Sequence, residues 1–220
     1  MTAVTRWWWI RHAPVRDHGG RLYGRRDVSC DTSDRDAFRA LAALLPRPAV
    51  WISSPLKRTL ETAEALAEAM REGGAEPPAP IVEPDLIEQD FGEWQGLTYA
   101  EIDATLGEAK HTYWFAPAYR TPPGGESFTA LAERVGAAIR RLTEAHAGHD
   151  VIALGHGGTV RAALALALDL DPETALRFAV DTLSLTRIDR VAQPGEAAAW
   201  RVVVVNQPPS RPPHEGSPAR

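Results

Sequence analysis

The 220-residue chain has one cysteine, Cys30, and no long apolar run. A single cysteine excludes an internal disulfide and any site built from several cysteine ligands. No stretch approaches the roughly 20 consecutive apolar residues of a membrane helix. The first residues also lack the apolar core and cleavage site of a signal peptide. We therefore expect a soluble, cytoplasmic protein that does not enter a membrane.

Positive charge is also scarce, since 24 Lys and Arg face 29 Asp and Glu for a formal net charge of −5. Such a chain has no overall positive field to attract nucleic acid, so any anion site must be local. Its length and 44% hydrophobic content suffice for a full core. We expect one domain over residues 1–205 and a proline-rich, extended or disordered tail over 206–220. The oligomeric state stays open, a homodimer included.

Short apolar strands alternate with amphipathic helices along the chain. Strands are predicted at 6–10, 49–52 and 151–154, and a hairpin at 183–191 and 200–205. Helices are predicted after the N-cap candidates at 31–34 and at about 56–71, 98–106, 126–146 and 160–168. This order favours an α/β fold: a three-layer α/β/α sandwich with a mostly parallel mixed sheet and helices on both faces.

Polar side chains follow three of these strands. The set consists of Arg11, His12, Arg58 and His156. Because the carboxyl ends of parallel strands meet at one edge of a sheet, we expect the four side chains to converge there. Guanidinium groups match phosphate oxygens and an imidazole can be a nucleophile, whereas the arginines would repel a metal ion. The set therefore favours a phosphate site over a metal site.

Three of these residues also have a purely structural interpretation. Arg11 could pair with a surface acid, and His12 could cap a turn. Arg58 stands at the start of a helix, where a cation opposes the helix dipole. A bound anion would relieve that placement, but an ion pair with Glu61 or Glu64 would also do so.

Two other segments stay ambiguous at this level. Residues 85–96 hold four carboxylates among apolar residues, any of which could be a general acid. Residues 107–125 are rich in aromatic side chains and predict either a lid over a substrate or a loop packed on the core.

Five motifs together resemble the histidine phosphatase superfamily, the phosphoglycerate-mutase-like group. They are Arg11-His12, Ser54-Pro55-Leu56-x-Arg58-Thr59-x-x-Thr62-Ala63-Glu64, Leu86-x-Glu88-x-x-Phe91-Gly92-x-Trp94-x-Gly96, Pro123-Gly124-Gly125-Glu126-Ser127 and Gly155-His156-Gly157-Gly158. The motifs occur in the family's order and span residues 6 to about 205.

The resemblance implies a phosphohistidine mechanism. In it His12 is the nucleophile, and Glu88 protonates the leaving oxygen and then activates water. The phosphate is held by Arg11, Arg58 and His156, with the backbone at Gly157. Neither a metal nor another cofactor is implied, and the partner is a small phosphorylated metabolite.

The resemblance favours the phosphatase branch, because the segment between Gln89 and Gly125 lacks the long insertion typical of the mutases. A phosphoglycerate mutase-type phosphotransferase is the first alternative, and an inactive phospho-ligand binding protein is the second. Ala13 and Pro14 depart from the family pattern and leave open which loop residue completes the phosphate pocket.

The long loop after the first strand carries further candidates for contact with the rest of the substrate, because it lies beside the proposed nucleophile. These candidates are Arg21, Tyr23 and Arg25, with Arg26 a further option.

Overall fold

The structure is a computed structural model that describes residues 3–16, 18–106, 111–193, 195 and 197–209. Six strands form one sheet: β1 (Ala3–Arg11), β2 (Val50–Ser53), β3 (Ile81–Val82), β4 (Asp150–Gly155), β5 (Leu185–Ala192) and β6 (Ala199–Gln207). The described ranges contain six α-helices: α1 (Arg35–Leu44), α2 (Lys57–Glu72), α3 (Tyr99–Leu106), α4 (Phe128–Ala145), α5 (Gly157–Leu168) and α6 (Pro172–Ala175).

The sheet has the strand order β3-β2-β4-β1-β5-β6. Neighbours from β3 to β1 run parallel, whereas β5 is antiparallel to β1 and β6 to β5. The mostly parallel mixed sheet predicted from the sequence is thus confirmed. The carboxyl ends of β1, β2 and β4 lie side by side at one edge, and the candidate site is built there.

The tryptophans of β1 show how the sheet is covered on both faces. Side chains alternate along a strand, so Trp7 and Trp9 pack with α4 and α5, whereas Ile10 packs with α1 and α2. The two buried indoles stack with ring centres 5.3 Å apart. The indole N–H of Trp7 donates to Thr143 Oγ1 at 2.9 Å. This packing fixes the strand that ends at the candidate site.

Most predicted elements are present with small shifts in their ends, and a capping box forms at the start of α3. There the backbone N–H of Thr98 donates to Glu101 Oε2 at 2.7 Å, and the N–H of Glu101 donates to Thr98 Oγ1 at 3.3 Å. Helix α5 begins at Gly157, earlier than predicted, and α6 was not predicted. No helix in the described ranges is both long and apolar enough to span a membrane.

The second strand of the predicted hairpin runs two residues past its predicted end at 205. Strand β6 continues through Asn206 and Gln207, where the sequence predicted extended or disordered chain. Asn206 is anchored because its Oδ1 accepts the N–H of Asp181 at 2.6 Å and its Nδ2 donates to Asp181 Oδ2 at 2.8 Å. The prediction for residues 210–220 lies outside the described part of the chain.

Candidate active site

His12 directly follows β1 and is almost completely buried. Its backbone N–H donates to the Gly155 carbonyl at 3.0 Å, which ties it to the end of β4. Its ring Nδ1 lies 2.7 Å from the carbonyl oxygen of Ala13. Because a carbonyl only accepts, Nδ1 carries the hydrogen, and the lone pair is on Nε2. Burial, followed by the charges of Arg58 and Arg11, lowers the pKa of His12 well below its ordinary value of 6.5.

His156 caps the amino terminus of α5, and its backbone N–H donates to Thr159 Oγ1 at 2.8 Å. Its ring centre lies 5.3 Å from that of His12. Nε2 is 2.7 Å from the hydroxyl of Ser54, whereas Nδ1 is buried and has no partner among the described residues. Burial, followed by Arg58, lowers the pKa of His156 well below 6.5. When Ser54 donates to Nε2, the neutral ring carries its hydrogen on Nδ1.

Arg58 lies in the first turn of α2 and is fully buried. Its Nη1 donates to the carbonyl of Arg26 at 2.9 Å and its Nη2 to that of Gly24 at 2.7 Å. Burial is the main cause that lowers the pKa of this guanidinium. The alternative ion pair with Glu61 or Glu64 is not formed. The carboxylate of Glu61 accepts the backbone N–H of Cys30, and that of Glu64 pairs with Arg71.

Arg11 completes the cationic side of the site. Its Nη1 donates to the carbonyl of Val180 at 2.6 Å. Its Nε is buried without a partner in the described residues, like Nε of Arg58 and Nδ1 of His156. A buried donor left unpaired is costly, and an anion with several oxygens could accept from all three. The arrangement can therefore hold a tetrahedral oxyanion beside Nε2 of His12.

Glu88 is the carboxylate that the structure brings to this edge in buried form. Its Oε2 accepts the N–H of Gly158 at 3.2 Å and its Oε1 the N–H of Gln89 at 2.9 Å. A Cβ at position 158 would lie 2.3 Å from Oε1, so only glycine allows this approach. Gly157 opens α5, where backbone N–H groups have no acceptor within the helix. Gly157 thus lies at the start of a helix at this edge, and its contact with a phosphate stays a prediction.

Tyr23 also lies in the site. Its ring centre is 6.3 Å from that of His12 and 5.0 Å from the Arg58 guanidinium carbon. The two arginines predicted beside it have protein partners instead. Arg21 Nη1 donates to the Gly96 carbonyl at 2.8 Å, and Arg25 Nη2 pairs with Glu126 at 2.8 Å.

These partners anchor the loop after β1 to the segments around Gln95 and Glu126. The neighbouring Arg26 does the same, because its Nη2 donates to the Gln95 carbonyl at 2.8 Å. Direct contact of Arg21 or Arg25 with a substrate stays a prediction, and the described contacts give both side chains another use.

Arg161 is a site residue that the sequence did not single out. Its Nη1 donates to the Gly157 carbonyl at 3.1 Å and its Nε to the Phe178 carbonyl at 2.9 Å. Burial, followed by the charge of Arg11, lowers the pKa of Arg161 to about 10. The only sequence signal was its position five residues after His156, which places it on the second turn of α5.

Within the described part of the aromatic segment, residues 111–125, Trp114 and Phe115 pack on the core, whereas Tyr113 and Tyr119 are exposed. Residues 107–110 lie outside the described part. The guanidinium of Arg161 lies 4.5 Å from the Trp114 ring centre. Trp114 contacts the rings of Phe91 and Phe128 and donates from Nε1 to Gln89 Oε1 at 3.3 Å. Of the two interpretations left open by the sequence, these contacts support the packed loop.

Thiol and metal chemistry find little support in the described residues. Burial raises the pKa of Cys30 to about 11, so the thiol stays protonated near neutral pH. Among the residues that the structure describes, no three His, Cys, Asp or Glu side chains are grouped to hold a metal ion.

Comparison with known proteins identifies the family. The sequence profile of the histidine phosphatase superfamily (branch 1) matches residues 7–203. The chain is 35% identical over 202 residues to a bifunctional protein of Mycobacterium tuberculosis; the match covers 90% of this chain but only 52% of that protein. The chain thus spans about half the length of that relative.

Two further similarities concern phosphatases. A glucosyl-3-phosphoglycerate phosphatase of Mycolicibacterium vanbaalenii is 32% identical over 172 residues, covering 73% of each chain. The solved structure of a mycobacterial glucosyl-3-phosphoglycerate phosphatase superposes with a TM-score of 0.76 at 27% identity, covering 93% of this chain and 99% of that one. Together with the match over residues 7–203, these similarities establish that the chain belongs to the histidine phosphatase superfamily.

Proposed function

We propose that the protein is a phosphomonoesterase that hydrolyses a small phosphorylated metabolite through a covalent phosphohistidine. One observation carries the proposal: three buried nitrogen atoms lack protein partners in the described residues, and they belong to side chains that lie near His12. These side chains are Arg11, Arg58 and His156. A phosphoryl group offers the several charged oxygens that such a set requires.

In the first step, Nε2 of His12 attacks phosphorus in line, and the bond from phosphorus to the ester oxygen breaks. The lowered pKa of His12 keeps this nitrogen unprotonated at neutral pH. The carboxyl group of Glu88 transfers its proton to the departing oxygen. The charge that develops on the phosphoryl oxygens is stabilised by Arg11, Arg58 and His156.

In the second step, water attacks the phosphohistidine. Glu88, now a carboxylate, takes a proton from that water, and the bond between phosphorus and Nε2 breaks. Inorganic phosphate leaves, and His12 and the protonated Glu88 are restored. The N–H groups of Gly158 and Gln89 hold the carboxylate at the same place in both steps.

We propose that this reaction needs no metal ion. The guanidinium groups of Arg11, Arg58 and Arg161 supply the positive charge that a metal would otherwise supply, and they would repel a divalent cation. Turnover should therefore be unchanged after exhaustive treatment with EDTA.

The test is a phosphate-release screen over a library of phosphorylated metabolites, with His12→Ala as the control. Glucosyl-3-phosphoglycerate belongs in the library because relatives carry the name of its phosphatase. We expect release from at least one metabolite and none with His12→Ala. Equal release by both proteins would contradict the proposal. Isomerisation of 3-phosphoglycerate without net phosphate release would favour the mutase.

A further inference from the structure

Glu126 forms the centre of a cluster that the proposed chemistry does not use directly. Its Oε1 accepts from Arg25 Nη2 at 2.8 Å, from Arg134 Nη2 at 2.6 Å and from the backbone N–H of Asp90 at 3.1 Å. The side chains of Arg25, Arg134 and Glu126 are 32%, 21% and 17% exposed, so the pairs are shielded from water. Charged hydrogen bonds of this kind are stronger and more directional than exposed ion pairs.

Both arginines also donate to the backbone that carries Glu88, and Arg25 Nη1 lies 3.5 Å from the carboxylate of Asp90 in the same segment. Nη1 of Arg134 donates to the Asp85 carbonyl at 2.6 Å and to the Ile87 carbonyl at 3.2 Å. Nε of Arg25 donates to the carbonyl of Glu88 itself at 3.1 Å. The peptide groups on both sides of the Glu88 Cα are thus held by two guanidinium groups that share one carboxylate.

The backbone of Glu126 joins the same segment. Its N–H donates to the Asp90 carbonyl at 2.8 Å, and its carbonyl accepts Nε2 of Gln89 at 2.9 Å. These contacts come from three places: Arg25 is in the loop after β1, Glu126 precedes α4, and Arg134 lies in α4. Three separate parts of the chain therefore converge on a stretch of six residues, 85–90, and fix it opposite the start of α5.

We propose that Glu126, with Arg25 and Arg134, is a positioning residue that sets the side chain of Glu88 for proton transfer. The inference rests on the proposed function, because it needs Glu88 to be the proton donor. A displacement of about 1 Å in a catalytic group can cost on the order of 100-fold in rate. The loss in rate should be larger where the leaving oxygen depends more on protonation.

The experiment compares kcat/KM for two esters of similar shape, phenyl phosphate and p-nitrophenyl phosphate. Phenoxide is the more basic leaving group and depends more on protonation. For Glu126→Gln we expect the loss on phenyl phosphate to exceed the loss on p-nitrophenyl phosphate by about tenfold or more, since general acid catalysis contributes roughly 100- to 10,000-fold. Combining Glu126→Gln with Glu88→Gln should cost little beyond Glu88→Gln alone, because both act through one group.

Asp189→Asn is the matched control. Asp189 is also a buried carboxylate between two arginines, Arg187 at 2.9 Å and Arg201 at 2.8 Å. It pairs in the sheet with Arg6, five residues before the end of β1, so it lies about 17 Å from the site. Its substitution should affect the two esters equally. If Glu126→Gln fails to fold, Arg134→Lys replaces it. This variant keeps the charge but loses hydrogen bonds to the Asp85 and Ile87 carbonyls, and we expect the same ratio of losses on the two esters.

The inference would be overturned if Glu126→Gln and Arg134→Lys lost kcat/KM equally on both esters. It would also be overturned if the losses of Glu126→Gln and Glu88→Gln added in the double variant. The proposed function has its own readout in the same assay. Hydrolysis that survives His12→Ala refutes the proposed function, whereas hydrolysis that requires His12 but shows equal losses refutes only the role of Glu126.

Discussion

Two buried charged regions of the fold handle charge in opposite ways. Asp189 on β5 is fully buried and accepts hydrogen bonds from Arg187 Nε at 2.9 Å, Arg187 Nη2 at 3.1 Å and Arg201 Nη2 at 2.8 Å. Arg58 is equally buried, yet within the described residues it donates only to two neutral carbonyls and leaves Nε unpaired.

The difference favours the carboxyl edge of the sheet as the place for the proposed ligand. A buried charge is tolerated when partners within the chain balance it, as at Asp189. At the carboxyl edge of the sheet, three guanidiniums and two imidazoles lie around one buried carboxylate, that of Glu88. Such unbalanced charge is unfavourable for folding and is typical of functional sites, where the ligand supplies what the chain does not.

The largest expected effect comes from Arg58→Met, which should separate activity from stability. We expect kcat/KM to fall by about 1,000-fold or more, because an electrostatic contact to the transition state is lost. The loss of two hydrogen bonds to carbonyls and the removal of an unpaired buried charge oppose each other, so the free energy of unfolding should change by no more than about 1 kcal/mol. Urea unfolding and steady-state kinetics measure the two quantities.

Asp189→Ala should give the reverse result. Removal of one partner from a buried ion cluster should lower the free energy of unfolding by about 3 kcal/mol and leave kcat/KM nearly unchanged. If Arg58→Met proved as destabilising as Asp189→Ala, the two regions would not differ in the way described.

A smaller kinetic effect is expected from Gly158→Ala. The new Cβ would lie 2.3 Å from Oε1 of Glu88 and 2.9 Å from Leu131 Cδ2, so the carboxylate must move. We expect kcat/KM to fall by roughly 10- to 100-fold, as for a displaced catalytic group. At Gly157 the Cβ would meet the flexible end of Arg161 at 3.0 Å and would lie at ordinary contact distance, 3.7 Å, from Nε of Arg11. Gly157→Ala should therefore cost less, and the opposite ranking in steady-state assays would argue against the geometry of Glu88.

The pH dependence of stability gives the finest separation of the two regions. Unfolded histidine titrates near 6.5, but burial and the arginines hold His12 and His156 neutral well below that value. As the pH falls below 6.5, the unfolded chain binds more protons, so the free energy of unfolding decreases, by up to about 1.4 kcal/mol per pH unit for each histidine. His12→Asn should remove one such contribution, which urea unfolding between pH 7 and 5 would detect.

Asp189 should act in a different pH window. Burial raises its pKa, but hydrogen bonds from Arg187 and Arg201 outweigh burial, so the pKa lies below the ordinary value of 3.8. The stability it contributes is present above pH 3.8 and is lost only as the pH falls through its lowered value. If the free energy of unfolding changed equally with pH between 7 and 5 in the wild type and in His12→Asn, that change could not be assigned to the site.

The part of the site that the sequence predicted follows from topology. Arg11, His12, Arg58 and His156 each lie at or just after the end of a strand, and parallel strands bring those ends together. The same reasoning gave the sheet type. Glu88 could not be chosen among four carboxylates from composition, because the choice depends on its approach to Gly158, a residue 70 positions away in the chain.

The part that the sequence missed depends on contacts between loops. Arg25 was predicted to reach the substrate because its loop lies beside His12, but Glu126 and the Glu88 carbonyl accept its hydrogen bonds. Nothing in the periodicity of either segment reports that pairing. The roles of Ser54 and Arg161 were missed for the same reason, since each contacts a ring or backbone atom that only the folded chain brings near.

The most direct test of the central claim is a search for phosphate on His12. The protein is mixed with a substrate from the screen, and the reaction is quenched in base within one turnover. After digestion, mass spectrometry measures the mass of the peptide that contains His12. We predict an acid-labile phosphoryl adduct on His12 that is absent from His12→Ala. The account would be contradicted if the wild type turned over the substrate but neither the wild type nor Glu88→Gln carried the adduct at any quench time.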